Sequence, residues 1–203
     1  MARFVTVTGA SFTLRWIPAN GTRPAFWMGE TQVTQQLWTA VMGTNPSKFK
    51  GDGLRPVEQV SWNDCRDFLA KLNDMDSVRK ASLAFRLPTE EEWERACLAG
   101  GRGGYCRLAD GTEITAATLS RVARFGRTWN EGPAEVGTLE PNAWGLFDMH
   151  GNVCEWTLPT DGGLPAGRGG GWYHSAENCS ASRGSRYAPG FASGFLGMRI
   201  AAS

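Results

Sequence analysis

Glycine and tryptophan set the terms on which this chain can fold. It carries 26 glycines and 9 tryptophans in 203 residues. Glycine is usually about 7% of a protein, so its share here is close to double. Each glycine is a place where the backbone can take a positive φ or turn tightly. Each tryptophan is a large flat group that has to be housed. Together they describe a core filled by big aromatic side chains and enclosed by packed loops and short strands rather than by long regular elements. A chain of this length is expected to form one domain over residues 1–203, with a sizeable core and a mixed α+β architecture.

Charge and composition remove several function classes. The net charge is +1, and no run of Lys or Arg exceeds two residues, so binding driven by phosphate neutralisation is not expected and nucleic acid is not a partner. No stretch approaches the ~20 apolar residues that span a bilayer, so membrane insertion is not expected either. The opening "MARFVTVTGASFTLRW" lacks a basic segment followed by a long apolar one, which predicts a cytoplasmic protein as synthesised, with the final location left open. The five cysteines are odd in number and contain no CxxC spacing. Reduced thiols are expected rather than a disulfide framework or a structural zinc site. His150 and His174 are the two histidines, and most triad or dyad chemistries would have to use one of them.

Local signals place a hairpin and three helices. "RFVTVTGASFTLRWI" alternates apolar and small residues and reads as an opening hairpin. A first helix follows Thr34, with Leu37, Trp38 and Val41 on one face and Gly43 at its end. A second follows Ser61, with Trp62, Cys65, Phe68, Leu69 and Leu72 at helical spacing. The third lies in "LPTEEEWERACLAGG". Thr89 and Glu92 form a capping box there, Pro88 bars continuation backwards, and Gly100–Gly101 stops the helix. These apolar stripes are core. Beyond Gly100 the pattern fades into Gly, Pro and Asn with isolated Trp, and no linker separates two domains.

Five segments in order carry a family resemblance: "MGETQVTQQLWTAVMGTNPSKFKG", "RPVEQVSWNDCRDFLAKLN", "FRLPTEEEWERACLAG", "PNAWGLFDMHGNVCEWT" and "RGGGW". They resemble the formylglycine-generating-enzyme (sulfatase-modifying-factor) family over about Trp27 to Arg199. The resemblance implies a variant of the C-type lectin fold with little regular secondary structure. The enzymes of that family bind copper through two cysteines, five residues apart, after an R-G-G-S-F/W stretch; soft thiolates suit Cu(I). In "RGGGWYHSAENC" the second cysteine is Cys179, His174 stands in place of the first, and Gly171 replaces the serine. Copper is therefore not expected, and Cys179 reads as a small buried hydrophobe. "FDMHGNVCEW" matches the family's calcium loop. The implied ligands are Asp148, the carbonyls of Gly151 and Val153, and Glu155, so a structural Ca²⁺ is the cofactor expectation. The family's other calcium site would fall in "ARFGRTWNEGP", which offers Asn130 and Glu131 but no Asp, and is not expected.

The ending, "GWYHSAENCSASRGSRYAPGFASGFLGMR", also resembles the variable proteins of diversity-generating retroelements. Their C-terminal segment keeps a scaffold like RGGSW…NC…R…P…GFR; here the last element reads GMR. Between the fixed positions, template Asn codons are mutagenised at adenine, which excludes Lys, Glu, Gln, Trp and Met. Tyr173, His174, Ser175, Ser182, Gly184, Ser185, Tyr187, Phe191, Ala192, Ser193, Gly194, Phe195 and Leu196 all belong to the permitted set. Glu177 does not and is assigned to the scaffold. The resemblance implies a variable region of about 168–199 that forms a ligand-binding surface. Tyr and Phe would give contact area with little rotamer entropy to lose, and Ser and Gly adaptable hydrogen bonding. Arg183, Arg186 and Arg199 would hold the loops by donating to carbonyls. The expected function is non-catalytic binding of a macromolecular ligand, with protein the favoured class. The alternatives are a copper-dependent oxidase acting on a sulfatase cysteine, and a structural domain in which Tyr173 and Tyr187 are buried.

Overall fold

A computed structural model describes every residue from 1 to 203 except Thr8, Asp52, Ala81, Thr160 and Asp161. The opening hairpin is present: β1 (Ala2–Val7) pairs antiparallel with β2 (Ala10–Ile17), from Ala2 against Arg15 to Val7 against Ala10. β3 (Phe26–Gly29) follows on the other side of β2. The last strand, β11 (Ala201–Ala202), then inserts between β3 and β4 (Phe85–Arg86), antiparallel to both. The sheet order β1-β2-β3-β11-β4 therefore fastens the C-terminus into the N-terminal sheet.

The three helices form where their caps predict. α1 (Gln35–Met42) starts at Thr34, whose hydroxyl accepts from the Leu37 N–H, and ends at Gly43 with φ +79°. α2 (Trp62–Asp74) starts at a capping box in which the Ser61 hydroxyl takes the Asp64 N–H and the Asp64 carboxylate takes the Ser61 N–H. A short α3 (Asp76–Lys80) follows. α4 (Glu90–Leu98) has the expected Thr89–Glu92 box, but the left-handed residue that stops it is Ala99, one position ahead of the glycine pair. α1 and α2 pack on the N-terminal sheet, with Trp38 stacked on Phe68 at 4.9 Å and Leu14, Leu37 and Leu72 around them.

A second sheet positions the C-terminal segment. β7 (Cys154–Trp156) is flanked by β10 (Leu196–Gly197), parallel to it, and by β8 (Ala166–Arg168), antiparallel. β9 (Gly184–Arg186) closes the order β10-β7-β8-β9. A separate pair joins β5 (Ala123–Arg124) to β6 (His150–Gly151). Trp93, Trp156 and Trp172 are fully buried, whereas Trp16 and Trp129 are each 39% exposed. The tryptophans thus serve the core as composition predicts, but not all of them do.

Candidate functional site

The chain leaves β8 through Gly169 and Gly170 and forms one loop up to β9, then a second between β9 and β10. Gly170 has to be glycine twice over. Its φ is +70°, and a Cβ there would lie 2.7 Å from the Cys179 sulfur. The backbones of both loops are held by groups outside the exposed positions. Gly126 N donates to His174 O and Arg127 N to Trp172 O, both at 2.8 Å. Ala181 N donates to Gly104 O, Gln59 N to Ser193 O, and Cys154 N to Phe195 O. Of the three arginines expected as braces, Arg199 donates to the carbonyls of Gly29, Glu30 and Phe147. Arg186 donates to Leu164 O and to Glu90. Among the described residues Arg183 makes no such bond and is exposed, so it is not a brace.

The expected site residues separate into three groups. Ser175, Ser182, Gly184, Ser185, Phe191 and Ala192 are exposed. Tyr173, His174, Tyr187, Ser193 and Phe195 are half-buried. Gly194 and Leu196 are buried, and here the sequence-based expectation is corrected. Leu196 opens β10, pairs with Cys154 and is fully buried in the core with Trp156 and Met198. A side chain on Gly194 would begin in contact with Phe49, Glu58 and Trp129. These two positions support the face but do not present it.

The open face is aromatic. Tyr173 meets Trp129 edge-on at 4.9 Å and His174 at 4.2 Å; Tyr187 stacks on Phe191 at 5.1 Å; Phe195 lies between the two groups. The Lys48 ammonium sits 5.1 Å from the Phe49 ring and 5.2 Å from Trp129, at the border of the same face. Trp129, Phe49 and Lys48 were not foreseen, because they come from segments far from the tail and carry no local signal. A cleft of about 270 Å³ opens between His174, Arg183, Ser185 and Tyr187, with Asn178 on its rim. A larger depression of about 620 Å³ beside α4 contains Glu90, Glu94, Arg168 and Arg186, whose charges pair with one another.

Where the family's enzymes would hold copper through two cysteines, this chain has one imidazole, His174, and one thiol, Cys179. Cys179 is fully buried, and burial pushes its thiol up to about 12. His174 Nδ1 accepts the Gly171 N–H at 2.8 Å, and burial lowers the imidazole's pKa. His150 is structural: its Nδ1–H donates to Cys179 O at 2.7 Å and its Nε2 accepts from Cys106 N at 3.2 Å. Burial lowers its pKa to about 4, which keeps it neutral.

The four residues of the expected calcium loop do converge. Gly151 O, Val153 O and a Glu155 oxygen face one point, but Asp148 faces it with its main-chain oxygen rather than its carboxylate. At that point lies the amide nitrogen of Gln32, which donates at 2.9 Å to Val153 O and 3.0 Å to Glu155 Oε1, with Asp148 O at 3.3 Å and Gly151 O at 3.4 Å. Glu155 is fully buried and also accepts from Trp93 Nε1 and Arg199. Asp148 Oδ2 accepts the Gly137 N–H, and burial raises the carboxyl to about 6. A donor at the centre and an arginine on the carboxylate do not fit a calcium ligand set.

Short strands, few helices, two sheets and long braced loops define a C-type-lectin-like scaffold of the formylglycine-generating type. The chain matches the family described as "Sulfatase-modifying factor enzyme 1-like domain" over residues 2–203, and it belongs to that family. Its structure is similar to that of Treponema denticola variable protein 1, with a TM-score of 0.81, 28% identity and 98% of each chain covered. By sequence it is similar to "Chaperone protein LppX" of Paenibacillus barcinonensis, at 27% identity over 80% of this chain and 75% of that one. It is also similar to "Inactive C-alpha-formylglycine-generating enzyme 2" of Mus musculus, at 32% identity over 75% of this chain and 52% of the mouse protein, so it spans about half of that relative's length. The likeness to variable proteins read from the tail is thus met in a solved structure, and one relative that the chain resembles is named as inactive. No described helix is long and apolar enough to cross a membrane.

Proposed function

We propose that the chain is a non-catalytic binding protein whose C-terminal region, about 168–199, is a diversified face for a macromolecular ligand of protein class. The observation that carries this reading is the separation of backbone from side chain in the two loops. Their carbonyls and N–H groups are tied to residues such as Gln59, Gly104, Gly126 and Arg127, while the side chains of Ser175, Ser182, Ser185 and Phe191 are exposed. Side chains outside the hydrogen-bonded frame can be exchanged at little cost to the fold. Tyr173, Tyr187 and Phe191 are the aromatic anchors. Arg183, with no carboxylate partner among the described residues, gives the cleft a cation suited to an acidic group on the ligand.

The test is a displayed library randomised at Ser175, Ser182, Ser185, Tyr187, Phe191 and Ala192 and sorted against a purified protein target. The reading expects most members to stay folded and binders to be enriched. A mostly unfolded library, or one without binders, contradicts it. The resemblance to the formylglycine-generating enzymes motivates a second assay, with a cysteine-containing sulfatase peptide and Cu(I). No turnover is expected; turnover that disappears in Cys179→Ser would replace the binding reading by the enzymatic one.

A further inference from the structure

The orientation of Gln32 follows from the backbone. Ala134 N–H donates to Asn152 Oδ1 at 2.9 Å, and Asn152 Nδ2 donates to Ala134 O at 3.2 Å. A main-chain N–H can only donate and a carbonyl can only accept, so this pair fixes which end of the Asn152 amide is which. The same Nδ2 donates to Gln32 Oε1 at 3.0 Å. The Gln32 oxygen is therefore committed to Asn152, and its NH₂ must face Asp148 O, Gly151 O, Val153 O and Glu155 Oε1. An NH₂ has two hydrogens, and the two shortest contacts, 2.9 and 3.0 Å, account for them. These are spacings of a hydrogen-bonded nitrogen; a Ca²⁺ ion would hold oxygens at about 2.3–2.6 Å.

The charges agree. Arg199, fully buried, places two nitrogens on Glu155, so that carboxylate has its counter-ion from within the chain. Arg124 is the other cation near Asp148, and Trp93 Nε1 completes the shell of Glu155. A divalent ion would have to displace an amide locked by Asn152 and compete with an arginine already in place.

We propose that the Gln32 side-chain amide occupies the cation position of the Asp148–Glu155 loop, making this scaffold independent of calcium. A neutral, covalently tethered donor does the organising, and binding-face integrity does not vary with the ion.

The experiment is thermal unfolding of the full chain in EDTA and in millimolar Ca²⁺, with calorimetric Ca²⁺ titration alongside. The wild type is expected to melt at the same temperature in both, within about 1 °C, with no heat of binding. A saturable rise in melting temperature with one-to-one Ca²⁺ binding overturns the proposal. Gln32→Glu puts a fifth acceptor among four. It is expected to melt lower than wild type in EDTA and to recover when refolded with Ca²⁺; a variant indifferent to Ca²⁺ also overturns the proposal. Gln32→Met removes the donor without adding charge, so its melting temperature should fall equally in EDTA and Ca²⁺. An unchanged melting temperature would show that the amide organises nothing.

Discussion

Leu196 and the loop serines stand in one C-terminal segment, yet the structure gives them opposite weights. Leu196 is fully buried, and its Cδ2 lies 3.0 Å from where a Cβ on Gly167 would be, pressed against β8. Truncating such a leucine removes its transfer energy and leaves a cavity, a loss of about 2–5 kcal/mol. For a chain of this size each kcal/mol moves the melting temperature by about 2–4 °C, so Leu196→Ala should lower it by about 4–20 °C. Ser175, Ser182 and Ser185 are exposed. Substitution to Tyr at each should stay within about 0.5 kcal/mol, a shift under about 2 °C. Differential scanning fluorimetry of the four single variants measures the contrast directly. If Leu196→Ala falls among the serine variants, or if any serine variant costs as much as Leu196→Ala, the division between frame and face is wrong.

Glu58 lies beneath Gly194, fully buried, with one oxygen on Phe49 N and the other without a partner among the described residues. Burial raises it from 4.5 to about 7. A raised folded pKa means that its contribution is full below 4.5 and lost as pH rises through 7, up to about 3 kcal/mol in all. Glu58→Gln should therefore gain on wild type in denaturant midpoint between about pH 5 and pH 8; parallel pH curves would contradict this. Arg199→Ala leaves Glu155 buried and without its arginine, and should cost about 3–5 kcal/mol. Urea unfolding of that variant and of Arg199→Met with Glu155→Gln checks it, the double variant recovering part of the loss.

Much of the frame was legible because its signals are local. Thr34, Ser61 and the Thr89–Glu92 box mark three helix starts, and alternation over Arg3–Ile17 marks the hairpin. The second sheet was not legible. β10 and β11 have two residues each, too short for any periodicity, and their partners are far away in sequence. For the same reason Leu196 could not be told from Phe195 beside it, although one points into the core and the other stays half-open. The motif marked Gly151, Val153 and Glu155 as converging on one point, but not that Asp148 joins them through its main-chain oxygen rather than its carboxylate. What fills the centre was not legible, since Gln32 arrives from before α1 and its orientation is set through Asn152 and Ala134. Likewise Trp129 joins the aromatic face only because the fold brings its loop to Tyr173, and Lys48 only because its loop reaches Trp129.

Sequencing the 3′ end of the gene across many cells, with its flanking DNA, measures whether the face is diversified. Substitutions should concentrate at the open positions, from Tyr173 to Phe195, and leave Asn178, Cys179, Arg186 and Arg199 fixed, beside a near-copy carrying Asn codons at the varied sites. Substitutions scattered evenly along the chain, with no such copy, would contradict the account.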